Sequence, residues 1–483
     1  MGRLRDSLRL PADVPRNELR HRNRVTIITI RGTGILDSLN STKIRGYYAT
    51  PEVRARMIES LGGRRLDEAT CYYIGRCFDT IRPGFTMRPP GDLDLFLRNQ
   101  WDVARSLWDR KWLFADVDIE YVNFEFPAEP FLDSERCFAL QEPVRRALDG
   151  IFAAAGMQPL HTLSGRGHHY GWNIDPNSPA FASLARIGRV PTSLQRMYAA
   201  PQPPDSEPVG ATLGKVFAGL GLVIEYVSHC ILEEAQPQCP IPIVPEAVDM
   251  GPQERGREII VLDISEYGDP LHTRAVRMPF SIYLKPWMHA EMLTPEIEGR
   301  IPIMVMVPSQ GQETEQILPL MRDLEKAGQW ASQVSCLFPD CSPGMEQLIA
   351  QYLHSELRRF HDEYYSVEPE PPDQWPLTYD RVSLEGLPAA ARYALDHPNE
   401  ALLKPDFVRP LVAALLDRGW APRHIAGLIQ SRYERDYGWL NLWYVYDALT
   451  RADYHVRVLA GMMRMGHDHV GAGFKPALTE GRV

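Results

Sequence analysis

The sequence predicts a mixed α/β (α+β) core followed by an all-helical C-terminal domain, and three observations predict it. Residues 112–124, WLFADVDIEYVNF, begin apolar and then alternate strictly, with Asp116, Asp118 and Glu120 against Val117, Ile119 and Tyr121. Successive side chains of a strand point to opposite faces, so the three acids share one. Strand-like and helix-like segments then alternate as far as residue 310, the pattern of a layered α/β unit. Beyond a proline-dense stretch at 366–378 only helical periodicity remains.

The first 24 residues hold Arg3, Arg5, Arg9, Arg16, Arg20, Arg22 and Arg24 against Asp6, Asp13 and Glu18. That is the composition of a solubilising tail or of a nucleic-acid-binding arm. Residues 25–30 read as a β-branched strand ended by the turn Arg31-Gly32-Thr33-Gly34, which completes no GxGxxG and is followed by no Lys-Ser/Thr. Residues 51–61 and 93–107 have apolar side chains at helical spacing, and 141–155 form an amphipathic helix closed by Gly156. Two short strands, 160–163 and 169–174, flank Ser164-Gly165-Arg166-Gly167-His168. A loop at 201–208 precedes a helix at 211–232, and 258–264 is a buried strand carrying Asp263. Residues 276–284 continue as strand-like sequence around Pro279, 301–307 form a last apolar strand, and 313–327 and 344–364 read as helices. The expected organisation is an arm at 1–24, a core at 25–310, a helical extension at 311–365, a linker at 366–378 and a helical domain at 379–483.

A chain of 483 residues is too long for one ordinary core, so two or three domains are expected. Its 44% hydrophobic and 24% charged content are those of a soluble globular protein, and no apolar run reads as long enough to span a bilayer. The N-terminus lacks the apolar stretch of a secretory signal, and seven cysteines without a dense framework fit a reducing cytoplasm. A net charge of −10 excludes a surface coated in basic residues but not a local basic groove.

Three like charges on one strand face repel unless a cation lies between them, and hard oxygen ligands suit magnesium or manganese. Two further segments belong with this strand. Ser164-Gly165-Arg166-Gly167-His168-His169 is a glycine-punctuated turn that lets backbone N–H groups, an arginine and a histidine approach one anion. Asp263 is followed by Arg277-Met278-Pro279-Phe280-Ser281-Ile282-Tyr283-Leu284-Lys285, which adds a carboxylate, then an arginine, a serine and a lysine. Carboxylates from two strands can clamp two metal ions, and cations and hydroxyls opposite them can hold a triphosphate. The residue types form a complete set for nucleotidyl transfer.

An hDhD strand, an SGxGxH turn, and an hD strand followed by R-x-P-x-S-x-x-x-K resemble the ordered motifs of the archaeo-eukaryotic primase superfamily. That superfamily includes primase small subunits, primase-polymerases and the polymerase modules of bacterial end-joining ligases. The resemblance covers roughly residues 112–287 and implies an RRM-like catalytic unit packed on an N-terminal α/β unit, with the site in the cleft between. It implies Asp116, Asp118 and Asp263 as ligands of a two-metal Mg2+ or Mn2+ site. It implies His169 as the phosphate-contacting catalytic histidine, beside Ser164, Gly165, Arg166 and Gly167. Arg277, Ser281, Tyr283 and Lys285 fall at the nucleotide-binding end of the third motif. Many relatives have a histidine where this chain has Tyr283, and a phenol carries no imidazolium charge. Spacing favours His169 over His168, and Glu120 is an extra acid on the metal face. The implied activity is that of a DNA primase or primase-polymerase acting on NTPs or dNTPs with a single-stranded template. No helicase motif lies in the chain, which leaves room for a helicase or another replication or defence partner.

Two rival readings are a catalytically silent nucleic-acid-binding adaptor and a DxD nucleotide-sugar glycosyltransferase. The second leaves the SGRGHH and RMPFS segments without a role. Structural zinc is the weaker reading of Cys336, Cys341, His354 and His361, because His-x6-His is wider than the usual finger spacing. His229, Cys230 and Cys239 offer only three ligands. In the C-terminal domain, residues 406–416 and 422–432 read as two helices. Arg423, His424, Arg432 and Arg435, with Tyr433, Tyr437 and Trp439, are candidates for contacting a template strand by charge and stacking.

Overall fold

Side chains alternate most regularly in the strand that became the centre of the larger sheet. The computed structural model describes residues 38–77, 87–246, 253–288, 294–398, 404–436 and 447–467; the basic arm and the strand expected at 25–30 lie outside them. The described strands are β1 (Ile74–Gly75), β2 (Ala104–Ser106), β3 (Leu113–Asn123), β4 (Leu160–Leu163), β5 (Gly167–Ile174), β6 (Ile243–Val244), β7 (Glu258–Asp263), β8 (Ala275–Arg277) and β9 (Val307–Pro308). They form a six-stranded sheet of order β6-β7-β3-β5-β4-β9 and a three-stranded sheet of order β1-β2-β8. All pairings are antiparallel except β6 with β7.

One face of β3 carries Val117, Ile119 and Tyr121 into a core shared with Val144, Leu148 and Phe152 of helix Ser134–Ala154. Val216, Leu220 and Val223 of helix Ala211–Ala235 complete it. Each aliphatic or aromatic side chain fully buried there contributes about 1.5–3 kcal/mol. Helix Ala211–Ala235 corrects one expectation, because the segment Ala211–Gln238 is long and apolar enough to cross a membrane. Most of it is buried inside the protein, so its apolar length builds the core. A second core joins helices Ser38–Tyr48, Pro51–Ser60 and Leu93–Arg98 to Met278, Phe280, Ile282, Tyr283 and Val305.

Several boundaries differ from the sequence reading, each for a local reason. The helix expected over 93–107 stops at Arg98, and 104–106 is strand β2. Gln100 takes a left-handed backbone, φ 58°, which a right-handed helix cannot pass through. The stretch 276–284 is strand only through Arg277, because Phe280 turns the chain at φ 65°. Of 301–307 only the end joins a strand, as β9, while Val305 makes an isolated bridge to Ile282. The helix expected over 313–327 divides into Thr314–Met321 and Leu324–Trp330, where the Asp323 carboxylate accepts the N–H groups of Glu325 and Lys326. The helix over 344–364 divides into Ser342–Leu353 and Glu356–Tyr365, with Ser355 capping the second. Helix Ser134–Ala154 begins well before 141, capped by Asp133, and carries Pro143 inside it. Helices Pro179–Ile187 and Thr192–Ala199 were not legible in the sequence.

The C-terminal region is helical, with Pro405–Leu416, Pro422–Asp436 and Ala448–Arg464 around a third core. Helix Glu356–Tyr365 contributes Leu357, Phe360 and Tyr364 to that core, and the proline-dense stretch carries Trp375 into it. The last helix also inserts Tyr454, Val458 and Met462 into the first core, so one element serves both.

Candidate active site

Strand pairing converts distant acids into neighbours. Asp118 on β3 is directly opposite Asp263 on β7 and, across its other edge, opposite His169 on β5. Directly opposed side chains of an antiparallel pair stand on the same face with Cβ atoms about 5 Å apart. Carboxylate oxygens of Asp118, Glu120 and Asp263 lie within 4.8 Å of one another, the one such set of metal-ligating side chains among the described residues. Asp116 stands one step along the same face and is buried. His169 spans the two aspartates, with Nε2 3.5 Å from Asp118 Oδ1 and Nδ1 3.8 Å from Asp116 Oδ2.

Burial first, then Asp263 and Asp116, push the Asp118 carboxyl well above the usual carboxylate range. Asp263 moves the other way: burial would raise it, but hydrogen bonds from Ser265 and the charge of Arg274 hold it below that range. A further acid, Glu266, joins this group; burial, Asp116 and Asp263 push it well above the usual range. Its only sequence signal is its place three residues after Asp263. Asp116 Oδ2, Asp118 Oδ1 and Glu266 Oε1 are buried without a hydrogen-bond partner. Buried carboxylate oxygens left this way are costly unless a cation meets them. An all-carboxylate donor set matches a hard divalent cation, so Asp118, Glu120 and Asp263 fit such an ion.

Opposite these acids stands a cluster of cations. The β4–β5 turn is closed by the Ser164 N–H donating to Gly167 O at 2.8 Å. A Cβ on Gly167 would fall 1.8 Å from Ile119 O, so only glycine lets the hairpin lie this close to β3. A Cβ on Gly165 would fall 2.8 Å from the Tyr283 ring. The turn delivers Arg166, which forms an ion pair with Glu120 Oε2. Lys285 Nζ lies 3.7 Å from Glu120 Oε1, and burial, then Arg166 and Arg277, push its ammonium well below the usual lysine range. Arg277 lies 4.1 Å over the Tyr283 ring and 3.4 Å from the buried Asp102. Tyr283 is buried with its hydroxyl unpartnered.

The remaining candidates are placed differently. Ser281 is fully buried and accepts the Val103 N–H at 2.6 Å, which fastens the segment carrying Lys285. Ser164 is likewise buried inside its turn. His168 points into the protein interior, its Nδ1 2.9 Å from His161 Nε2 and its ring edge-on to Phe138. Of the zinc candidates, Cys336 and Cys341 are buried, His354 bonds its own helix at Ala350 O, and His361 bonds Tyr352 and Glu225. His229 meets His467, while the Cys239 thiol donates to Leu140 O. In the C-terminal region Arg423 is paired with Asp453 and Tyr433 is buried, so neither is presented to a strand. His424 lies 3.1 Å from the Tyr379 hydroxyl, and Tyr437 and Trp439 lie outside the described residues.

No protein-family model matches the sequence, and no curated protein matches it. Among solved structures the chain is similar to the polymerase domain of ligase D from Mycobacterium tuberculosis, in complex with DNA. The two are 16% identical over 64% of this chain and 91% of that one, with a TM-score of 0.32.

Proposed function

We propose that this chain is a metal-dependent nucleotidyltransferase, a primase-polymerase that joins nucleoside triphosphates on a single-stranded nucleic-acid template. The observation that carries the reading is the apposition of two opposite charge clusters across Glu120. Asp118, Glu120 and Asp263 lie on one side, and Arg166 and Lys285 on the other. Few substrates need both; a polyphosphate bound together with a divalent ion does.

On this reading Asp118, Glu120 and Asp263 hold Mg2+ or Mn2+, with Asp116 and Glu266 the adjoining acids. A bound divalent ion supplies charge neutralisation at the phosphates and lowers the pKa of a hydroxyl. Arg166 and Lys285 bind the phosphate oxygens, and the depressed affinity of Lys285 for its proton is restored as an anion approaches. His169, set between Asp116 and Asp118, orients those carboxylates and is assigned the phosphate contact. Ser281 acts through the backbone it fastens. Arg277 stacks on the buried Tyr283 ring, which packs against the turn at Gly165.

The test is incorporation of labelled NTPs and dNTPs on single-stranded DNA, with and without primer, in Mg2+ or Mn2+. The double variant Asp116→Ala, Asp118→Ala should lose about a thousandfold or more in extension, with an unchanged circular dichroism spectrum. Extension at the wild-type rate by that variant would overturn the assignment.

A further inference from the structure

Glu120 has two sets of neighbours with opposite demands. Its Oε2 is paired with Arg166 and its Oε1 lies 3.7 Å from Lys285 Nζ, so each oxygen is given to a different cation. At the same time one of its oxygens lies within 4.8 Å of those of Asp118 and Asp263. The side chain is largely buried, at 12% exposure, as are Arg166 at 15% and Lys285 at 19%. Neither cation can therefore rely on bulk water to balance its charge.

The backbone explains why one residue can serve both groups. Glu120 stands two residues after Asp118 on the same face of β3, and it is opposite Gly167 on β5. With no side chain at Gly167, the turn packs directly on the β3 backbone, and Arg166 of that turn is brought to Glu120. Lys285 comes from a separate segment, held by Ser281 and by the left-handed turn at Phe280.

We infer that Glu120 is a placeholder for the substrate's phosphate, and that its transfer from Arg166 and Lys285 to the metal couples nucleotide binding to metal binding. This rests on the polyphosphate reading of the site. In the free protein the carboxylate occupies both cations. An incoming polyphosphate displaces it, and the displaced carboxylate moves toward the neighbouring Asp118 and Asp263. Without a divalent ion that move is opposed by like charge; with one, Glu120 becomes a ligand. Each ligand therefore removes an obstacle to the other, and the coupling is reciprocal. The exchange also selects against weak anions, since a monophosphate must displace the same carboxylate with fewer contacts.

The experiment is calorimetric titration of the full chain with a non-hydrolysable nucleoside triphosphate and with inorganic tripolyphosphate. Each is measured in EDTA and in Mn2+, for wild type, Glu120→Gln and Glu120→Asp. Removing the charge should tighten metal-free binding about tenfold and shrink the Mn2+ enhancement by a similar factor, the usual size of a coupling between sites. Glu120→Asp keeps the charge but withdraws it by one methylene, and should shift both quantities in the same direction by less. Metal-free binding by Glu120→Gln that is unchanged or weaker overturns the placeholder while leaving the nucleotide site standing. Failure of wild type to bind either polyphosphate in Mn2+ overturns the nucleotide reading itself, and the inference with it.

Discussion

Glu225 and Asp118 are both buried carboxylates, and the fold treats them in opposite ways. Glu225, on helix Ala211–Ala235, has Arg457 Nε 2.8 Å from one oxygen and His361 Nε2 3.2 Å from the other. Burial would raise its pKa, yet Arg457 and His361 hold it at about 2. The Arg457 guanidinium is completed by a bond to the Tyr365 hydroxyl. Asp118 has Asp263 opposite it, Asp116 and Glu120 beside it, and an oxygen with no hydrogen-bond partner. The same chain thus pairs one buried acid with an arginine where the last helix docks on the core and leaves another among like charges on the sheet face, with His169 Nε2 3.5 Å away. Buried like charges of this kind cluster at functional sites.

The largest structural effect is expected where the pairing is complete. Arg457→Met removes the cation from Glu225 and should lower unfolding stability by about 3–5 kcal/mol, the usual result of stranding one member of a buried pair. Urea denaturation measures it, and a loss below about 1 kcal/mol would mean that the two carboxylates are not the opposites described.

Acid titration should sharpen the comparison next. His229 is buried near Glu225, and its folded-state pKa falls to about 4, by burial first, with Glu225 opposing and His467 adding to the fall. An imidazole depressed from 6.5 binds fewer protons folded than unfolded between those values. Its contribution is therefore complete above pH 6.5 and is lost as pH falls toward 4. Glu225, depressed to about 2 from an unfolded value near 4.5, adds most of its slope below about pH 5 and adds it equally to both proteins. Denaturant melts at pH 6 and pH 5 should show a slope shallower by about one bound proton in His229→Gln than in wild type. Equal slopes would show that His229 is already charged in the fold.

The smallest effect is expected at the uncompensated site, and with the opposite sign. Asp118→Asn removes one of several mutually repelling acids and should raise metal-free stability by about 1 kcal/mol. Mn2+ should raise the melting temperature of wild type and leave that of the variant unchanged. A variant less stable than wild type without metal would place Asp118 with Glu225, as a structural acid.

Much of this arrangement is written in local pattern. The alternation at Asp116, Asp118 and Glu120 sets which side chains share a face, and the Gly165 and Gly167 positions mark a turn. What the pattern does not carry is the partner across the strand. Ala104–Ser106 looks helical by spacing and is a strand because β1 and β8 lie on either side of it. Glu266 carried no motif of its own, and its importance comes from the acids around it. Arg423, whose charge and aromatic neighbours suggested an exposed contact surface, is folded onto Asp453, Tyr364 and Tyr365.

By itself the sequence determined the period-two face of acids, the helical C-terminal third and the stock of cations available to answer those acids. Only the tertiary structure decided that Asp263 stands opposite Asp118, that Lys285 reaches Glu120, and that the last helix serves two cores. The division has one cause. Which way a side chain points follows from bond geometry within a few residues, whereas what it meets depends on the order in which strands lie side by side.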